Sequence, residues 1–252
     1  MGCKISRRNR RDAAGGGAMS WNVFRVYGDG HLADTLRCTL ELKHLSLNDE
    51  NNVATLAFVA QDVYDHFNAA QLAEVGRLFA RASCNHQFVV VLSQVPPGWT
   101  RKIADKRKGV FFQVDTLIVK RAVKRMVCPE QFIVGCADAV DPLPLPYQEY
   151  LAAHECPVLQ MSYESAELAK CAINYMLAEQ VAAANRLAAV ATKVGADYAD
   201  VERALRNDAR IGAHAYLRPG KINQHLRRDV QTVAQLLLPS EQELFERMIG
   251  GA

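Results

Sequence analysis

The run from Ser165 to Val194 limits the fold more than any other part of the chain, because it is apolar on nearly every face of a helix. At about 100° per residue, Ile173, Leu177, Val181, Ala184, Ala188 and Ala191 form one stripe, with Lys170 and Asn174 on or beside it. A lysine there must snorkel out or stand in a polar pocket, because burying an unpaired ammonium is costly. Such a helix wants partners on several sides, either within its own chain or from a second protein. Ser165 is placed to cap its start and Gly195 to end it.

The N-terminal half reads differently. Asn22 to Tyr27 is a short strand that enters Gly28-Asp-Gly30-His-Leu-Ala33 and then a helix to about Leu42. Strand, G-x-G-x-x-A turn and helix is the order of a dinucleotide-binding fold. There Gly28 makes the tight turn, Gly30 lets backbone approach a pyrophosphate, and Ala33 lets helix pack on strand. An ordinary strand-to-helix turn is the competing reading. Further strands are expected over Ala54–Ala60, Gln87–Ser93, Gly109–Val114 and Gln131–Gly135, with helices over Ala69–Ala82 and Leu117–Arg125. The alternation predicts a doubly wound α/β domain. Only a dozen or so residues separate Leu42 from the strand at Ala54, so a complete dinucleotide fold lacks room for two strands and a helix there.

Pro142, Pro144 and Pro146 punctuate the chain. Beyond them the pattern predicts a helix over Tyr147–Ala153, a strand over Pro157–Met161 and then almost only helix: the long one, Asp200–Leu205, Arg228–Leu238 and a last one opening at Pro239. The expected fold is therefore α/β: a truncated Rossmann-like parallel sheet over residues 19–146, followed by an all-α domain over 147–252. Residues 1–18, basic and then Gly/Ala-rich, read as a disordered extension. Met1-Gly-Cys-Lys-Ile-Ser6 matches an N-myristoylation pattern, and translation beginning at Met19 is the competing account.

The net charge of +3 is concentrated in Arg7 to Arg11 and Arg101 to Lys108, with no continuous footprint for nucleic acid. No apolar run is long enough to span a bilayer. The seven cysteines form no C-x-x-C pair, and neither they nor the histidines show ligand spacing. Free thiols in a reducing cytoplasm, without a metal, are expected.

Three blocks resemble the UDP-glucose/GDP-mannose dehydrogenase family. They are Ser93-Gln-Val-Pro-Pro-Gly98-Trp-Thr100, Glu167-Leu-Ala-Lys170-x-x-x-Asn174, and Gly195-Ala-Asp-Tyr-x-x-Val201 with Arg210-Ile-Gly212 and Pro219-Gly220. The family oxidises a sugar-nucleotide alcohol to a carboxylate in two hydride transfers to NAD. The resemblance implies Gly28, Gly30, Ala33, Ser93 and Pro96 for the cofactor. It implies Lys170 and Asn174 for the developing oxyanion, with Asp229 as acidic partner. It also implies a homodimer, or a heteromer, joined through helix 165–194.

The family's thiol, which traps the aldehyde as a thiohemiacetal, falls at His225. The loop glycines before it are absent, and the sugar-contacting loop reads Val114-Asp115-Thr-Leu-Ile118-Val119-Lys120. A histidine can act as general acid or base but cannot form a thioester. A cytoplasmic, dimeric pseudoenzyme or accessory protein of nucleotide-sugar and surface-polysaccharide biosynthesis is therefore expected. The alternative is an NAD-dependent oxidoreductase that makes a single alcohol–aldehyde hydride transfer, with Lys170, Asn174, Asp229 and His225 as its polar site.

Overall fold

The computed structural model of the chain describes residues 23–47, 54–115, 121–237 and 241–242. They fall into two compact units. One comprises the chain up to Asp62, Ala73–Gln94 and Gly98–Ala166, and the other Val63–Leu72, Val95–Pro97 and Glu167 onward.

The first unit is built on a seven-stranded sheet. Its elements are β1 (Val23–Tyr27), α1 (His31–Leu42), β2 (Ser46–Leu47), β3 (Leu56–Val59), α2 (Ala69–Asn85), β4 (Phe88–Val91), α3 (Trp99–Ala104), β5 (Val110–Gln113), α4 (Ala122–Val127), β6 (Phe132–Cys136), α5 (Leu145–Ala152) and β7 (Val158–Ser162). The strand order is β2-β1-β3-β4-β5-β6-β7. All neighbours are parallel except β5 and β6. Every residue of β3, β5 and β6 is buried, as continuous apolar runs require when helices cover both faces. The order reverses between β1 and β3, and the carboxyl ends of the strands at such a reversal are where open α/β sheets take ligands.

An aromatic core fills one face. Tyr150 lies 4.8 Å from Phe58, 5.8 Å from Phe132 and 6.2 Å from Phe24, centroid to centroid. The hydroxyls of Tyr147 and Tyr150 are both satisfied by Gln113, at 2.9 and 3.3 Å, so two tyrosines can be fully buried without orphaned polar atoms.

The second unit is helical. It holds most of α6 (Tyr163–Val194), α7 (Tyr198–Asn207) and α8 (Gln224–Leu236). Ala178, Leu226 and Val230 form its apolar centre, with Tyr175, Leu177, Ile222 and Ala234 packed around them. Asn185 exchanges two hydrogen bonds with the backbone of Gly220, at 3.0 and 2.8 Å. Gln180 accepts one from the Tyr216 N–H. Polar side chains of α6 thus fasten the loop that returns from α7 to α8.

The short interval after Leu42 holds one strand: β2 pairs in parallel with β1 through Val23↔Ser46, and its two residues are too few to leave a periodic signal. Three expectations need correction. The sheet unit does not stop at residue 146, because β7 extends it and the unit reaches Ala166. The long helix starts at Tyr163, where the Ser162 hydroxyl accepts from the Ser165 N–H at 3.2 Å, so Ser162 is its cap. Finally, Cys128 is disulfide-bonded, while Cys38, Cys84, Cys136, Cys156 and Cys171 are free thiols. The expected extension at 1–18, the start of the helix from Leu117 and most of the last helix lie outside the described residues. Among the described residues, no helix is long and apolar enough to cross a membrane.

Candidate functional site

The sheet unit forms the glycine turn that the sequence announces, and then fills it. Gly28 and Gly30 both have positive φ, at 126° and 94°. A side chain at Gly28 would collide with the Ala60 carbonyl at the end of β3, so glycine is required for β1 and β3 to run side by side. At Gly30 an added Cβ would lie 2.5 Å from Oδ2 of Asp62. That same oxygen accepts the His31 N–H at 2.7 Å, and the Gln61 side-chain carbonyl accepts the Asp29 N–H at 3.2 Å. The N-terminus of α1 carries partial positive charge and unsatisfied N–H groups, the atoms a dinucleotide's pyrophosphate uses. Here an intramolecular carboxylate takes that position.

Ser93 is fully buried and also occupied: its hydroxyl accepts the Gln61 N–H at 2.8 Å and lies 3.4 Å from the Val59 carbonyl. Ala33 is buried in α1 as helix–strand packing demands. Gln94 donates to Asp115 at 2.7 Å in a buried pair. Pro96 belongs to the helical unit and is partly exposed.

In the helical unit Lys170 and Asn174 lie on the buried face of α6, and Asn174 meets Asp229. The buried face of α6 includes Glu167, Lys170, Cys171, Asn174 and Ala178, so the family-like polar residues point inward at helical spacing. Asp229, on α8, has no exposed surface, and both its oxygens are engaged. Asn174 donates to Oδ2 at 2.5 Å and Arg228 Nε donates to Oδ1 at 2.7 Å. Arg228 Nη1 also reaches the Val63 carbonyl at 2.6 Å. Among the described residues no salt bridge joins Lys170 to Asp229. Arg228 has taken the carboxylate, and Lys170, 8% exposed, makes no hydrogen bond or ion pair among the described residues.

His225 sits in the first turn of α8, its ring 6.2 Å from Tyr64. Asn223 caps that helix by accepting the Leu226 N–H at 3.0 Å. Where the family has a glycine-rich thiol loop, this chain has a capped helix start. A thiol does lie nearby, since Cys171 Sγ, Asp229 and His66 come within 4.8 Å of one another. Burial, and the Asp229 carboxylate after it, push the Cys171 thiol up to about 12. Without a cation beside it the thiol is held in its protonated form and is no nucleophile. Sequence reading missed Asp62, Gln61, His66, Cys171 and Arg228. Only Arg228 carried a signal, being the neighbour of a residue already singled out.

A parallel sheet with a glycine turn at its reversal point, followed by a helical unit with inward Lys and Asn, defines a dehydrogenase-type scaffold. Residues 164–237 match the UDP-glucose/GDP-mannose dehydrogenase family, central domain. UDP-glucose 6-dehydrogenase 1 of rice, Oryza sativa subsp. japonica, is 30% identical over 152 residues, which is 54% of this chain and 31% of the relative. The curated relatives of this kind are thus matched over about a third of their own length. The fold of a UDP-glucose dehydrogenase from the archaeon Pyrobaculum islandicum superposes with a TM-score of 0.69 at 19% identity, covering 91% of this chain and 68% of that one. A conserved protein of unknown function, structurally similar to 3-hydroxyacid dehydrogenases, superposes at 0.64 and 14% identity over 91% of this chain and 95% of its own. Residues 164–237 thus match the central domain of that family, and the chain shares the fold of these dehydrogenases.

Proposed function

We propose that this chain is a family member that no longer performs the four-electron oxidation and serves as a dimeric or heteromeric accessory protein in nucleotide-sugar metabolism. The observation that carries this is the Asp62 carboxylate on the Gly30–His31 turn. A pyrophosphate placed there must displace an anion that already holds the helix N-terminus, and Asp29 adds a second negative charge beside it. His225 at the thiol position and the self-paired Asn174–Asp229–Arg228 cluster support the same reading. NAD is the cofactor the family uses, and Gly28, Gly30, Ala33, Ser93 and Pro96 would have to hold it. Of these, Gly30 faces Asp62 and the Ser93 hydroxyl is engaged by Gln61, so the fit is poor.

The accessory role draws on a second feature. α6 exposes Leu168, Met176, Leu187, Val190 and Val194 on the faces away from its buried stripe. An apolar surface of that kind suits a partner helix, either a second copy or an intact dehydrogenase of a surface-polysaccharide route.

The decisive measurement is NADH fluorescence titration. The expected result is no saturable binding at millimolar cofactor for the wild type and measurable binding for Asp62→Ser. Tight binding by the wild type would overturn the proposal. One observation favours the alternative, a single alcohol–aldehyde hydride transfer: the nearly buried Lys170 makes no hydrogen bond or ion pair among the described residues and would receive a substrate oxygen. Under that reading the wild type binds NADH and Lys170→Ala abolishes turnover without loss of fold.

A further inference from the structure

We infer that His66, Cys171 and Asp229 form a site for a borderline divalent cation of the zinc class, which ties three separate segments of the helical unit together. His66 comes from the Val63–Leu72 segment, Cys171 from α6 and Asp229 from α8. All three are buried, and one ligand atom from each lies within 4.8 Å of the others. A nitrogen, a thiol sulfur and a carboxylate oxygen are the donors zinc accepts, at bond lengths of about 2.0–2.3 Å. Such bonds bring ligand atoms to within about 4 Å of one another, so the cluster needs only a small contraction.

The orientation of His66 gives the second argument. Thr232 Oγ1 lies 2.8 Å from His66 Nδ1 and 3.0 Å from the Arg228 carbonyl, so the ring is held through Nδ1. Nε2 is thereby turned toward Oδ1 of Asp229, at 4.0 Å. With the ring proton on Nδ1, donated to Thr232, Nε2 presents its lone pair beside the carboxylate and the thiol, the donor set that a divalent cation takes. A ligand imidazole held through its other nitrogen is the usual outer support of a zinc histidine.

The rest of the pocket is compatible. A carboxylate oxygen offers two lone-pair directions, so Arg228 Nε can keep one on Oδ1 while the metal takes the other. Asn174 holds Oδ2 and thereby orients the group. On binding, the Cys171 S–H bond breaks, sulfur becomes a thiolate ligand and its proton passes to bulk water. The thiolate and the Asp229 carboxylate together balance the dication. Affinity therefore rises with pH. None of this depends on whether the chain oxidises sugar nucleotides.

The test uses the full chain freed of metal, both incubated with Co(II) and refolded in its presence. The expected result is one equivalent bound, with a sulfur-to-cobalt charge-transfer band that Zn(II) abolishes. Cys171→Ser should lose the band and bind Zn(II) at least ~10-fold more weakly, and Thr232→Val should weaken it by ~10–100-fold. Cys84→Ser, an exposed thiol, should change neither. Zn(II) should also raise the melting temperature of the wild type but not of Cys171→Ser. No band in wild-type protein by either route, or equal Zn(II) affinity in wild type and Cys171→Ser, overturns the inference.

Discussion

The glycine turn of the sheet unit and the Lys170–Asp229 cluster of the helical unit both keep a family pattern, yet they keep it in different ways. At the turn the backbone conformation survives, and an outside side chain occupies the atoms a ligand would use. In the cluster the side chains survive, and Asp229 is held by Asn174 and Arg228. The difference separates two properties that a motif confounds: the geometry of a site and the availability of its atoms. Gly30 shows this most directly. Its lack of a Cβ reads in sequence as room for a pyrophosphate, but the group in that space is Asp62.

The largest effect is expected where a charge is fully buried. Asp229→Ala leaves the Arg228 guanidinium buried without its carboxylate and should cost about 3–5 kcal/mol, measured by urea unfolding. A cost below 1 kcal/mol would mean that water already reaches Arg228 and that the cluster is looser than the turn. On the other side of the comparison, Gly30→Ala should cost about 1–3 kcal/mol, from positive φ and the collision with Asp62. Gly30→Ala combined with Asp62→Ser should recover part of that loss, because only the backbone strain remains. If the double variant is no more stable than Gly30→Ala alone, the carboxylate is not what demands glycine there.

Acid sharpens the contrast between the units. Burial pushes His154 of the sheet unit down to about 4 and lowers His86 as well. For His154 the unfolded chain, near 6.5, binds the proton more readily than the folded one. The stability held by the neutral ring is present above about 6.5 and is lost as pH falls towards 4, at up to ~1.4 kcal/mol per pH unit. Native-state hydrogen exchange at pH 7 and pH 5 should show protection falling first in β6 and α5, where His154 meets Phe132 and Tyr150. His154→Asn should flatten that dependence. Equal loss across α6 and α8 would remove the distinction.

Much of the scaffold was legible because it rests on periodicity. The apolar runs of β3, β4 and β6 and the long α6 stand close to where the sequence puts them, since burial on both faces and helical spacing leave a local signature. β2 was not legible: two residues cannot express a period. The start of α6 was read three residues late, because Ser162 and Ser165 are both competent caps and only tertiary packing of Tyr163 selects the first. At the candidate site, Lys170, Asn174 and Asp229 were legible through their resemblance to a family, and the structure brings Asn174 and Asp229 into contact. Their state was not legible. Whether Asp229 faces Lys170 or Arg228 depends on contacts between residues more than fifty positions apart, and so does the approach of His66 to Cys171.

The smallest effect concerns the missing thiol. His225 is half-buried at the start of α8, its ring beside Tyr64, so His225→Cys should change stability by no more than about 0.5 kcal/mol. Restoring sulfur there should not by itself yield acid from a sugar nucleotide, because Asp62 still holds the turn where the coenzyme must dock. Adding Asp62→Ser should then permit NADH binding, read by fluorescence, whether or not turnover follows. Acid formation by His225→Cys alone, followed by product chromatography, would show that the carboxylate yields its place on demand. The two regions would then differ only in the atom lost, and not in how each is filled.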